Sequence, residues 1–234
     1  KELIQDVYKA DIQRQAMELE NKQAQLDALQ SQINPHFLFN TLETIRMRSL
    51  VKDEKETAEI IKYLSRTFRR ALTWGNDWVT VEEEVQFVES FLRIQQYRFE
   101  KRINYIISME PGTEKLKIPK MTLQPLVENA SIHGIEMIKD RGVIELDVRA
   151  TGDRLQLMVT DNGVGIGKDR LDQIMKELKE QELNKEHIGI ANVFWRLYLY
   201  YGEAFRFDIE SGENKGTKVI ISIPLKYEPR IHGA

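Results

Sequence analysis

Residues 32–40 read Gln-Ile-Asn-Pro-His-Phe-Leu-Phe-Asn. The imidazole of His36 is a competent nucleophile near neutral pH, since its unperturbed pKa is about 6.5. Pro35 removes a backbone donor and clashes with the preceding turn, so a kink is expected just before His36, where it would change how the ring meets solvent. Asn40 falls one turn later. A lone histidine in this setting can equally be a buried or capping residue. A second set of residues lies nearly a hundred positions on. Asn129 and His133 are four apart and would share a helix face; the asparagine supplies a neutral oxygen suited to Mg²⁺, which takes few protein ligands beside phosphate oxygens and water. His133 can donate to a phosphate. Asp161 ends an alternating stretch, where a carboxylate can accept a hydrogen bond from an exocyclic amine, and Gly163 and Gly165 beside it let backbone approach a ligand closely. Gly189 opens a helical pattern and offers free N–H groups to an anion. Each signal is weak singly; in this order and on these elements they describe an ATP site.

The elements that must position these groups follow from the distribution of glycine. Of 13 glycines, none precedes Gly75 and ten fall from Gly134 to Gly216; Pro35 is the sole proline in the first 110 residues. The N-terminal third therefore reads as long helix and the C-terminal half as turns, strands and a ligand loop. Ile12, Leu19, Leu26 and Ile33 recur every seven residues, the spacing of a coiled-coil seam weakened by intervening Gln and Lys. Ile60, Ile61, Leu64, Phe68 and Leu72 give a second helix, about 54–72, an apolar face. Two such helices per chain, paired with a second copy, would build a four-helix bundle. Thr80 followed three residues later by Glu83 is a capping box opening a helix to about residue 102. Strands are expected at about 103–109, 143–150, 154–160, 205–211 and 217–224 and helices at about 119–133, 171–178 and 188–201. That order predicts an α+β sandwich, with helices layered on a mixed, largely antiparallel sheet.

Composition removes several functions. The 234 residues contain no cysteine, which excludes disulfides, thiolate metal sites and thiol catalysis. With 34 Lys+Arg against 37 Asp+Glu, the net charge of −3 argues against nucleic-acid binding through a basic surface. No apolar run approaches the roughly 20 residues of a membrane span. A start at Lys1, with no signal-peptide pattern, is read as the cut end of a longer protein.

The sequence resembles the cytoplasmic portion of sensor histidine kinases of the LytS/YesM type over residues 29–224. Segment 32–40 matches the family's phosphoacceptor box; 123–130 with His133 and Gly134 looks like the N box; 161–165 and 188–193 resemble its two glycine boxes. The resemblance implies an N-terminal dimeric helical bundle followed by a Bergerat-type (GHKL) α/β sandwich. It divides the chain into a signalling helix (1–28), a dimerisation and phosphotransfer domain (29–76), a catalytic ATP-binding domain (77–228) and a tail (229–234). It further implies His36 as phosphoacceptor, Asn129 as Mg²⁺ ligand, His133 as a phosphate contact and Asp161 as acceptor for the adenine amine. Gly163, Gly165 and Gly189 would frame a lid at about 168–186, and Thr217 would support adenine recognition. The implied partners are a second copy and a response regulator whose receiver aspartate takes the phosphoryl group. The implied setting is the cytoplasmic side of a bacterial inner membrane, reached through a preceding sensor segment.

Some positions depart from the wider pattern. Phe37, not an acid, follows His36, and His187 stands where the second glycine box often has glycine, so it either contacts phosphate or caps a helix. Pro125 occupies the position at which ATPases of this fold carry a water-activating glutamate, which argues against hydrolysis as the main chemistry. As His36 attacks, its other ring N–H needs an acceptor; Glu43, two turns on, and Glu128, beside Asn129, are the candidates by position. Asn40 is a candidate for orienting water in a phosphatase reaction. Two alternatives remain from the sequence: a nucleotide-binding scaffold without phosphotransfer, and a gyrase-type ATP-driven clamp.

Overall fold

The computed structural model describes residues 17, 35–72, 77–99, 102–135, 138, 141–180 and 188–226. The heptad stretch, the chain before Pro35 and its expected kink, His187 and the tail lie outside them. Helix α1 (Pro35–Val51) and helix α2 (Lys55–Leu72) form an antiparallel hairpin. Asp53 takes a left-handed φ of 59° at its turn, and the Glu54 N–H donates to the Ser49 carbonyl at 2.9 Å. Leu42 on α1 and Ala58 and Ile61 on α2 are buried, whereas Phe37 is 70% and Val51 85% exposed, and Ile45 and Met47 are also exposed. Much of the hairpin's apolar surface thus faces away from its own chain.

Strand β1 (Trp78–Thr80) leads into helix α3 (Val81–Arg98) through the expected capping box: the Glu83 N–H donates to Thr80 Oγ1 at 3.2 Å and the Thr80 N–H to Glu83 Oε2 at 2.8 Å. The helix stops at Arg98, short of the expected 102. Strands β2 (Ile103–Met109) and β3 (Lys117–Pro119) follow; β3 pairs antiparallel with β1 in a two-stranded sheet that the sequence pattern did not announce.

The expected helix from 119 to 133 is the largest local correction. Lys117–Pro119 is strand, Met121 turns the chain at φ 61°, and helix α4 covers only Gln124–Asn129. Pro125 suits a first helical turn because its missing N–H would be unpaired there. From Ala130 to Ile135 the backbone widens into a π turn, whose i→i+5 bonding rotates His133 away from the α-helical position assumed from its spacing to Asn129.

The remaining elements are β4 (Gly142–Thr151), β5 (Arg154–Asp161), helix α5 (Lys168–Glu180), helix α6 (Ile188–Tyr201), β6 (Arg206–Ser211) and β7 (Thr217–Pro224). The five-stranded sheet has the order β2-β4-β5-β7-β6, parallel between β2 and β4 and antiparallel elsewhere. Alternation sends Ile144, Leu146 and Val148, Leu155, Leu157 and Val159, and Val219, Ile221 and Ile223 to the buried face. Val81, Val85, Val88 and Leu92 of α3 and Val193 and Leu197 of α6 pack into the same core. The result is the expected α+β sandwich. Among the described residues no helix is long and apolar enough to cross a membrane.

Because both halves of the capping box are present, Thr80→Ala should lower the unfolding free energy by about 1 kcal/mol. Urea denaturation of the two proteins checks this, with the m-value unchanged.

Candidate functional site

Asp161 is the next residue in the inward series Leu155, Leu157, Val159, so strand periodicity turns a carboxylate toward the core, where it is 6% exposed. Its register partners are Ile144 on β4 and Thr217 on β7, and Thr217 pairs with Ser211 on β6. A polar row thus crosses the sheet at the end of its apolar face. The Gly163 N–H donates to Asp161 Oδ1 at 2.8 Å, and the Thr217 N–H also donates to the carboxylate. Burial outweighs these donors and pushes the carboxyl from an ordinary 3.8 up to about 6.

The surroundings of Asp161 explain the glycines. A Cβ on Gly134 would sit 2.7 Å from Asp161 Oδ1; on Gly163 it would enter the Gly134 backbone; on Gly216 it would strike the Asp161 carbonyl. Gly165 (φ 67°) packs against the Gly212 and Gly216 carbonyls. Ser211, which the sequence reading missed, supports this loop: its Oγ accepts the Ile166 N–H at 2.8 Å, donates to the Gly216 carbonyl at 2.8 Å and lies 2.9 Å from Thr217 Oγ1. Its one legible signal was its inward register two residues beyond Ile209.

Above this row lies a cavity of about 340 Å³, within the range of small-molecule sites. Val159, Asp161, Thr217 and Val219 form its sheet side; Asn129 and His133 come from α4 and the π turn; Gly165, Ile166 and Gly167 line the loop side; Arg170 and Ile174 come from α5. Gly189, at the start of α6, is packed against Asn129: a Cβ there would lie 3.1 Å from Asn129 Nδ2. The structure therefore gathers Asn129, His133, Asp161, Gly165 and Thr217 around one space, with Gly163 and Gly189 supporting it from behind. Arg170, also lining it, was not singled out from sequence. Among the described residues no group of three or more His, Asp or Glu could hold a metal ion. A cation here would rest on the Asn129 oxygen together with oxygens brought by a ligand, which fits the sparse protein coordination of Mg²⁺.

His36 is exposed on the first turn of α1, and among the described residues no part of α1 lines this cavity. The Asn40 Nδ2, one turn away, lies 3.3 Å from Nδ1 and 3.2 Å from Nε2 of the His36 ring. Glu43 is engaged by the Arg46 guanidinium, at 2.9 Å from Nε to Oε2, and that contact holds its carboxyl below the usual range. Glu128, about 100° round the helix from Asn129, accepts from Gln124 Nε2 at 2.6 Å and does not line the cavity.

The raised Asp161 pKa fixes the sign of a pH effect. The folded state keeps its proton to a higher pH than the unfolded state, so the stability that Asp161 contributes is present below about 3.8 and lost as pH rises to about 6. The loss is on the order of 3 kcal/mol at most. Denaturation of wild type and Asp161→Asn from pH 4 to 8 should show the wild type falling relative to the variant up to pH about 6, then a constant difference.

Comparison with known proteins gives matches to two families. The histidine kinase family matches residues 24–103, and the histidine kinase-, DNA gyrase B- and HSP90-like ATPase family matches 117–227. Sensor histidine kinase YesM of Bacillus subtilis is 32% identical over 207 residues, covering 88% of this chain and 34% of that protein. Sensor protein kinase HptS of Staphylococcus aureus is 32% identical over 203 residues, 86% of this chain and 38% of that protein. The chain thus spans well under half the length of these relatives. Among solved structures, the histidine kinase domain of the Erythrobacter litoralis EL346 blue-light activated histidine kinase superposes with a TM-score of 0.47 at 18% identity, covering 78% of this chain and 85% of that one.

Proposed function

The chain belongs to the histidine kinase family, and from that premise we propose that it phosphorylates its own His36 from ATP and passes the phosphoryl group to a receiver-domain aspartate of a response regulator. The observation that carries the reading is the inward-facing Asp161 at the base of a cavity walled by Asn129 and His133. A buried carboxylate with two backbone donors already in place has acceptor capacity left for an adenine amine, and Thr217 is its neighbour across the strand pair. Asn129 would hold Mg²⁺, which neutralises phosphate charge when bound, and His133 would donate to the phosphates. Gly163, Gly165 and Gly189 would frame a lid at about 168–186, and that lid and His187 belong to the same proposal.

In the first step the lone pair of one neutral imidazole nitrogen attacks the γ-phosphorus in line. The N–P bond forms, the bond to the β,γ-bridging oxygen breaks, and ADP leaves with that electron pair. The other ring nitrogen then gives up its proton. Asn40, in contact with the ring from one turn away, would orient water for a phosphatase reaction. Of the acceptors expected for the proton, Glu43 is a weakened base while Arg46 grips it, and Glu128 shares a hydrogen bond with Gln124. Each keeps acceptor sites beyond the partner it already has. In the second step an aspartate oxygen attacks the phosphorus, the N–P bond breaks, and the ring takes up a proton as it leaves.

The division into a signalling helix at 1–28, a phosphotransfer hairpin at 29–76, a catalytic domain at 77–228 and a tail at 229–234 belongs to this proposal. So does the homodimer: a second hairpin would cover the apolar residues that α1 exposes, Phe37, Ile45, Met47 and Val51. Attachment to a membrane through a preceding sensor segment completes it.

Incubation with γ-labelled ATP and Mg²⁺ should label the wild type, leave His36→Gln unlabelled and reduce labelling of Asn129→Asp by at least about a hundredfold. Steady hydrolysis over many turnovers, unaffected by His36→Gln, would instead identify an ATPase.

A further inference from the structure

Glu84 on α3 is fully buried and has no place in the chemistry above. Its Oε1 accepts the Leu123 N–H at 3.1 Å, its Oε2 accepts the Met121 N–H at 3.3 Å, and the Arg70 guanidinium from α2 is paired with Oε2. Arg70 also donates through Nη1 to the Glu83 carbonyl at 2.6 Å and lies 4.8 Å from the centroid of the Phe87 ring. Lys120 Nζ donates to the Arg70 carbonyl at 3.2 Å, and the Arg196 guanidinium from α6 donates to the Lys120 carbonyl.

These contacts converge on one turn. Met121 sits at φ 61°, a region disfavoured for a residue with a Cβ, so the surroundings must hold it there. The turn is the entry to α4, which ends at Asn129, and α6, tied to it through Arg196, begins at the Gly189 contact with Asn129. On the hairpin side, Arg69 lies 5.1 Å from the centroid of the Phe39 ring, three residues after His36, so the end of α2 stands beside the phosphoacceptor end of α1. Arg70 therefore connects the level of His36 to both helices that place Asn129.

We infer that Arg70, through Glu84, is a positioning residue that sets the nucleotide helices relative to the phosphoacceptor hairpin. The inference rests on the kinase reading above. Arg70 does not line the nucleotide cavity, so its loss should spare ATP binding and slow transfer. In Arg70→Met, Glu84 keeps its two backbone donors and Phe87 stays covered, but the buried carboxylate loses its counter-charge, so Arg70→Lys, which keeps a cation, is measured beside it.

The test measures autophosphorylation rate against ATP concentration for the full 234-residue chain and for Arg70→Met and Arg70→Lys. Arg70→Met should lower kcat at least about tenfold with the KM for ATP within about twofold, and Arg70→Lys should recover part of the rate. Circular dichroism and ATP affinity report folding of each variant, and Arg70→Lys carries the test alone if Arg70→Met is unfolded. A kcat unchanged or raised in a folded variant, or a rise in KM alone, overturns the inference. A wild type that takes no label overturns the kinase reading and the inference with it; a labelled wild type with unaffected variants overturns the inference only.

Discussion

A carboxylate at an inward-facing sheet position is the constraint around which this structure is arranged. Asp161 continues the apolar series of β5 into the core and is held there by the Gly163 and Thr217 N–H groups. Two donors do not offset the loss of water, which is why the group is a poor acid. The packing around it is backbone against carboxylate and backbone against backbone, so glycine is required at 134, 163 and 216. The same closeness draws the π turn, the glycine loop and the start of β7 to one end of the sheet, where they leave a cavity. Stability is given up at Asp161 in exchange for an acceptor that is already desolvated before a ligand arrives.

Placement of the other groups follows from what packs on that sheet. Core residues of α3 and α6 fix those helices, and the start of α6 meets the Asn129 side chain through Gly189. Glu84 accepts the N–H of Leu123, the residue at the N-cap of α4, and so fixes the turn that leads into that helix. A single buried acid on α3 therefore sets the entry to the helix that carries Asn129, and its pairing with Arg70 carries that order across to the hairpin. His36 stands exposed on the hairpin with Asn40 beside its ring, separate from the cavity.

Much of this could be read from the sequence, for physical reasons that differ between elements. Strand alternation exposed β4, β5 and β7 almost to the residue, because one face of each is buried. The capping box at Thr80 marked the start of α3. The segment after β3 misled, because 119–133 is rich in helix formers. Neither the left-handed Met121 nor the widening at Ala130 has a residue-type signature, and the Met121 turn is held by Glu84, 37 and 39 positions away from the two N–H groups it accepts. Glu84 itself was hidden in a run of three acids. Its neighbours Glu82 and Glu83 are exposed, and only its spacing from Val81 and Val88 put it on the apolar face. Ser211 was missed because its role lies in contacts to the glycine loop that the order of residues along β6 does not encode.

The site turns on Asp161 being a buried acceptor that a nucleotide amine completes. The most direct measurement is the carboxyl ¹³C titration of Asp161 in the full chain, with and without a non-hydrolysable ATP analogue. The midpoint should lie near 6 in the free protein and fall when the analogue binds, since an amine donor favours the carboxylate. A free-protein midpoint at the ordinary 3.8, or one that the bound analogue leaves in place, would contradict it.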